Sequence, residues 1–198
     1  MRGRGTIAAT VAISLPFAIL LWLALRHLLP SIAAEPMIFA LQCSGALVLL
    51  ALVPGIEAVA HERLFHPSID PLAGADSRRL VVNQRYIQNT LEQLATLLPG
   101  LFLLAHYEPD LRLVAATAIV WTLGRWAWWI GYHIGPMWRG LGVWSMVVGQ
   151  LALLYGVGRF GFDLAGWPGV AALLGPFAAI EGFLFAVLRR PDISAPSR

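Results

Sequence analysis

The sequence predicts an all-α integral membrane protein that crosses the bilayer about six times. Three observations predict it: a shortage of charge, six long apolar stretches and a lopsided distribution of arginine. Of the 198 residues, 58% are hydrophobic and only 13% charged, and the mean hydropathy is +0.70. Soluble domains average roughly 45–50% apolar and about 25% charged residues, so this chain lacks the charge to cover a water-facing surface of its size. The whole of 1–198 reads as a single transmembrane domain.

A helix needs about 20 mainly apolar residues to cross a hydrocarbon core. Stretches of that kind lie at about 6–29, 36–60, 81–106, 111–133, 138–158 and 168–188. Pro16 in the first is tolerable where neighbouring helices satisfy the freed carbonyl. The breaks fall at Pro30 and Pro36, Glu108-Pro109-Asp110, Gly135-Pro136 and Gly166-Trp167-Pro168. The one long loop, about 61–80, is polar and rich in turn residues such as His66-Pro67-Ser68 and Asp70-Pro71. The first span exceeds the usual ~7–15-residue core of a signal peptide and is followed by Arg26-His27, which favours a retained helix over a cleaved leader.

Net charge is +3, and all 14 basic residues are arginine. They are scattered between apolar runs rather than gathered in a stripe, which speaks for topology signals and surface anchors and against a nucleic-acid partner. With the N-terminus inside, the inner loops and tails hold Arg2, Arg4, Arg63, Arg78, Arg79, Arg139, Arg189, Arg190 and Arg198. The outer ones hold Arg26, Arg112 and Arg159. This asymmetry places both termini in the cytoplasm, and the absence of lysine suggests a GC-rich bacterial genome, so a bacterial inner (plasma) membrane is the expected location. Cys43 is the only cysteine, so no intrachain disulfide and no cysteine metal site is expected. No metal site is predicted from the histidines either: His61 and His66 flank Glu62 in the polar loop and read as solvated.

Ionisable side chains inside a bilayer are costly, about 2.5–3.5 kcal/mol each on insertion scales, and need partners or a wet cavity. Arg85 and Glu92 in the third span, Arg125 in the fourth and Glu57 in the second stand out, with Glu181 in the sixth a weaker case. Glu57 and Glu181 lie near the inner face and read as helix-binding or snorkelling groups. Glu92 should sit roughly 16 Å and Arg125 roughly 12 Å from that face at about 1.5 Å rise per residue, which suggests a buried ion pair. Arg85, Asn89 and Glu92 share one helical face, as do Arg125, Trp128 and Tyr132. Two polar stripes from consecutive helices therefore converge at one depth, with Arg139 at the start of the fifth helix. Cations outnumber the single carboxylate there, and guanidinium groups match carboxylates bidentately, so an anionic ligand is expected.

Arg85-Tyr-Ile-Gln-Asn89-Thr-Leu-Glu92 resembles the second-helix signature of the MAPEG family, the membrane-associated proteins in eicosanoid and glutathione metabolism. Arg125-x-x-Trp128-x-x-Gly131-Tyr132, followed by Arg139, is similar to that family's third helix and the start of its fourth. The resemblance implies a MAPEG-like four-helix bundle over about 36–158, with one extra helix at each end, 6–29 and 168–188. It further implies a homotrimer in membrane lipid, with glutathione as cosubstrate bound at the cytosolic side and a small lipophilic substrate. Arg85, Asn89 and Glu92 would hold the polar ends of the tripeptide, with Arg125, Trp128 and Tyr132 as further contacts. Arg139 would be catalytic, because a nearby cation lowers a thiol pKa from about 8.5 and the thiolate is the nucleophile.

The implied function is a glutathione-dependent transferase or peroxidase acting on a hydrophobic electrophile. Two positions depart from the family pattern. Trp128 stands where Tyr or His is common, and Gln93 where an aromatic follows the glutamate. Both remove candidate glutathione contacts, which keeps a non-catalytic lipid-binding or scaffold member as the alternative. A small transporter using Glu57, Glu92 and Arg125 is disfavoured by the apolar outer halves of the spans. Gly156-Val-Gly158-Arg-Phe-Gly161 fits a dinucleotide fingerprint in letters only, since it follows no strand and ends a membrane helix.

Overall fold

The computed structural model describes residues 2–72 and 74–188, without the side chains of residues 2–4 and 68. Arg189, Arg190 and Arg198, which weigh in the predicted orientation, lie outside the described residues. Among those described there is no strand. The chain forms two compact units, Met1–Leu153 and Leu154–Arg198.

The first unit opens with α1, Arg2–Leu28, which passes through Pro16 without a break. α2, Pro36–Leu47, starts where Glu35 caps it: the carboxylate accepts from the Ile38 amide at 2.6 Å, and Pro36 supplies a preset φ in the first turn. A π-helical turn, Val48–Leu52, joins it to α3, Val53–Phe65. α4, Arg78–Tyr107, is capped by the Ser77 hydroxyl, which accepts from Leu80 N at 3.0 Å. α5, Arg112–Ile134, follows a tight corner in which Arg112 bonds both oxygens of Asp110, at 2.8 and 3.0 Å. That guanidinium holds the Asp110 carboxyl below the usual carboxylate range. α5 stops at Gly135, a 3-10 turn spans Trp138–Gly142, and α6 covers Trp144–Leu188.

The core of this unit lies where α2, α4 and α5 meet, around Leu47, Leu97, Leu101, Val114 and Trp121. A smaller cluster of Ala18, Val120 and Trp144 seats α1 against α5 and the start of α6. Glu62, in the last turn of α3, is 6% exposed and paired with Arg79, while Ser77 donates to it at 2.8 Å. This explains one departure from expectation. The loop predicted over 61–80 is shorter, because Glu62 extends α3 to Phe65 and Ser77 starts α4 at Arg78.

The second unit holds the rest of α6, interrupted at Ala165 and Gly166. Gly166 has φ 62°, a left-handed conformation that glycine adopts without steric penalty. The chain turns back there. A β-carbon on Gly169 would collide with the Gly161 carbonyl, and one on Gly158 would touch Leu174 at 3.5 Å, the pairing of an antiparallel helical hairpin. The predicted break at Gly166-Trp167-Pro168 is therefore where the helix turns.

Among the described residues, four helices are long and apolar enough to cross a membrane: Gly5–Leu28, Pro36–Phe65, Arg112–Ile134 and Trp138–Leu188. The last runs to 51 residues and contains the hairpin turn. α4 is also long, at 30 residues, but a row of polar side chains lowers its apolar content.

Candidate functional site

The site grows from one fully buried cation. Arg125 on α5 is 0% exposed, and its side chain lies across α4. Its Nε and Nη2 donate to the Thr90 hydroxyl at 3.2 and 3.0 Å, and Nη1 donates to Asn89 Oδ1 at 2.9 Å. The guanidinium carbon is 5.1 Å from the ring centres of both Tyr86 and Trp128. Neutral oxygens and two aromatic faces thus receive the charge, in keeping with the preference of guanidinium for planar, π-rich surroundings.

The ion pair expected between Glu92 and Arg125 does not form. Glu92 lies on the exposed side of α4, whereas Arg125 approaches over Thr90, two residues away and so on the far side of the helix. Glu92 is reached through neighbours instead. Gln88 donates to its Oε1 at 3.1 Å, Asn89 donates to its Oε2 at 3.5 Å, and Arg85 Nη1 donates to Gln88 at 3.1 Å. Asn89 is the junction, because its oxygen also accepts from Gln93 at 3.2 Å. Gln93 in turn accepts from the buried Ser145 hydroxyl at 2.8 Å. The two predicted stripes do meet, through Asn89 and Thr90 rather than through opposite charges.

Along α5 the site continues as a ladder of rings and cations. Trp128 meets Tyr132 edge to face at 4.9 Å, and the Arg139 guanidinium lies 5.8 Å from the Tyr132 ring centre. Arg139 is exposed and sits in the Trp138–Gly142 turn. Gly131 and Gly142 have no room for a β-carbon, which would meet Trp138 O in one case and Gly124 O in the other. The glycine of the Gly131-Tyr132 pair therefore lets the turn lie flat on α5 and brings Arg139 back over Tyr132. Arg78, at the start of α4, donates to the Tyr132 and His133 carbonyls at 3.2 Å each and ties down the end of α5.

Several supporting residues carry no signal that the sequence alone discloses. Tyr86 donates to the Ala51 carbonyl at 2.6 Å, and Trp126 Nε1 donates to the Leu50 carbonyl at 2.8 Å. Both carbonyls belong to the π turn, whose wider winding displaces backbone groups from the regular ladder. Asn83 accepts from Trp129 Nε1 at 2.9 Å and lies 2.9 Å from His133 Nε2. Glu57 pairs loosely with His61 at 3.8 Å, and Arg63 with Asp76 at 3.8 Å, both away from this cluster. Among the described residues no group of histidine, cysteine and acidic side chains is arranged to hold a metal.

An apolar recess of about 310 Å³ lies between α2 and α5, lined among others by Cys43, Leu47, Ala118, Thr122 and Trp126. The Thr122 hydroxyl is bonded to Ala118 O, and Trp126 Nε1 to Leu50 O, so the walls suit hydrocarbon. None of the seven predicted site residues lines it.

Long apolar helices and a buried arginine beside a polar row mark an integral membrane protein with a candidate site at that arginine. A model of the MAPEG family matches residues 40–159, which contain every element of that site, and the chain belongs to that family. Comparison with curated proteins and with solved structures gives no match.

Proposed function

We propose that this chain is a glutathione-dependent membrane transferase or peroxidase acting on a hydrophobic electrophile. The observation that carries the proposal is the Arg85–Gln88–Glu92 row. It is exposed on a single chain, yet it lies on a helix flanked by membrane spans and is wired through Asn89 to a buried arginine. Charges at such a position need water, a ligand or a partner subunit. A tripeptide with two carboxylates and one ammonium satisfies both signs: arginines for the carboxylates, Glu92 for the ammonium. A homotrimer would cover the same face and close the site between subunits.

Family membership and the cationic surroundings support the chemistry. Arg139 would stabilise the glutathione thiolate by its charge. The thiolate sulfur would then form a bond to an electrophilic carbon as the leaving group departs with its electron pair. With a hydroperoxide, the sulfur would take the outer oxygen, and the alkoxide would be protonated to alcohol. A second glutathione would reduce the resulting sulfenic acid to disulfide and water.

Six spans are the topology we favour. α4 is about 45 Å long at 1.5 Å per residue, enough to cross once, and the hairpin in α6 would supply the last two crossings. The arginine asymmetry then sets the site toward the cytoplasm, in a bacterial inner membrane.

The test is calorimetric titration of purified protein in detergent with glutathione, with Glu92→Gln in parallel. Saturable binding that the variant weakens is the expected result. No binding by the wild type would overturn the proposal and favour the lipid-binding or scaffold reading. One observation speaks for that reading: Gln93 is turned inward to Asn89 and Ser145 and is buried, so it offers no ligand contact.

A further inference from the structure

We infer that α1, which lies outside the family-matched residues, is a built-in positioning element for Arg139, and that Thr10 and Ser14 are its contact residues. The inference rests on the proposed role of Arg139 for its functional consequence, though not for its geometry.

Among the described side chains of α1, those that are buried fall every fourth residue: Thr10, Ser14 and Ala18, at 5%, 3% and 2% exposure. Such spacing makes one narrow seam along a helix, and small residues let membrane helices approach closely. The inner part of the seam lies on the turn that carries Arg139. Ser14 Oγ is 3.3 Å from the Gly140 carbonyl, within donating distance, and shares its hydrogen with Val11 O of its own helix at 3.3 Å. Thr10 spends its hydroxyl on Ile7 O at 2.9 Å and presents its side chain to Gly140. A β-carbon on Gly140 would collide with Thr10 Oγ1. A helix serving only as a membrane anchor would not need this fit.

The rest of the seam fixes the helix so that it can press on the turn. Ala18 packs with Val120 and Trp144, and the Phe17 and Trp144 rings are 5.9 Å apart. Farther along, Trp22 Nε1 donates to the Thr117 hydroxyl at 3.0 Å. The turn is therefore gripped from two sides. α5 meets it at Gly131 and Gly142, and α1 meets it at Gly140. Arg139 sits between these grips, with its backbone held and only its side chain free to lie over Tyr132. A charge that acts on a sulfur must be placed closely, since a displacement of about 1 Å can cost on the order of a hundredfold in rate.

The test uses the full-length protein with Thr10→Leu, which wedges α1 from the turn, Thr10→Val, which keeps the shape, and Ser14→Ala as a milder second lesion. Deuterium exchange of amides 138–142 reads the grip, and the pH midpoint of thiolate absorbance of bound glutathione reads the charge. Thr10→Leu is expected to speed the exchange and raise the midpoint by about one pH unit, a tenfold loss of thiolate at neutral pH. Glutathione affinity should stay within about twofold of wild type, because Arg85, Asn89 and Glu92 are untouched, and Thr10→Val should behave like wild type. If Thr10→Leu does not fold, Ser14→Ala should show the same changes in smaller measure. Unchanged exchange in both lesions, or faster exchange with an unmoved midpoint, would overturn the inference. If the wild type binds no glutathione, the functional reading fails by itself, and the exchange data alone decide for or against the grip.

Discussion

Arg125 and Asn89, 36 residues apart in the chain, are joined by a 2.9 Å hydrogen bond inside the bundle, and this bond links the buried cation to the exposed polar row. The Thr90 hydroxyl completes the arginine's oxygen partners, and Tyr86 and Trp128 cover it with their rings. A lysine could keep the charge but could not donate in a planar fork to both oxygens while lying against two aromatic rings. Arg125→Lys is expected to cost about 1.5–3 kcal/mol, the usual range for hydrogen bonds to charged groups. Thermal unfolding in detergent should show a lower Tm. A variant as stable as wild type would mean that the ring contacts alone hold the cation.

Glu92 allows a cleaner separation of binding from folding. It is exposed, and its partners Gln88 and Asn89 are neutral amides, so a glutamine there can keep at least one of these bonds. Glu92→Gln should leave Tm nearly unchanged while removing the one carboxylate able to meet an ammonium. Glutathione affinity should fall about 10- to 100-fold, equivalent to about 1.5–3 kcal/mol. Equal titration curves for the two proteins would show that the tripeptide's amino group is held elsewhere.

How much of this was legible in the residues follows from what each feature depends on. The helices and their breaks were legible, because Glu35-Pro36, Asp110, Gly135-Pro136 and Gly166 act within one or two turns of their own position. The convergence of two polar stripes was also legible, since helical spacing alone puts Arg85, Asn89 and Glu92 on one face. Partner choice was not. Periodicity gives the face of a residue but not the rotation of one helix against the next, so Arg125 was expected to meet Glu92 and meets Thr90 and Asn89 instead. The π turn was equally hidden, because Val48–Leu52 is an apolar run like its neighbours, and only the donors from Tyr86 and Trp126 mark it. The burial of Glu62 was hidden too, since it depends on Arg79 and Ser77 more than a dozen residues away.

Arg139 gives a prediction in pH. Beside a thiol, a cation stabilises the thiolate and lowers the pKa from about 8.5, so its removal moves that pKa up again. In Arg139→Ala the rising limb of the activity profile should move to higher pH. Each pH unit that it moves costs about a tenfold loss of activity at neutral pH. Activity at high pH should recover, because hydroxide then does the deprotonation. Conjugation rates measured across pH against a hydrophobic electrophile make the check. Full activity at neutral pH in this variant would remove Arg139 from the mechanism.

Tyr86 separates the two uses of one side chain. Its ring stacks on Trp129 at 4.5 Å and lies 5.1 Å from the Arg125 guanidinium carbon, while its hydroxyl donates to the Ala51 carbonyl of the π turn at 2.6 Å. Tyr86→Phe keeps the ring and leaves that carbonyl without its donor in an apolar interior, at a cost of about 1–3 kcal/mol. Tm should therefore drop while the KM for glutathione stays put, since the guanidinium keeps its aromatic face. Tyr86→Leu removes the ring as well, and should lower both stability and glutathione affinity as Arg125 loses one of its two covers. If the phenylalanine variant weakened glutathione binding as much as the leucine variant, the hydroxyl and not the ring would be the link to the site. The π turn would then act on the site directly rather than as its support.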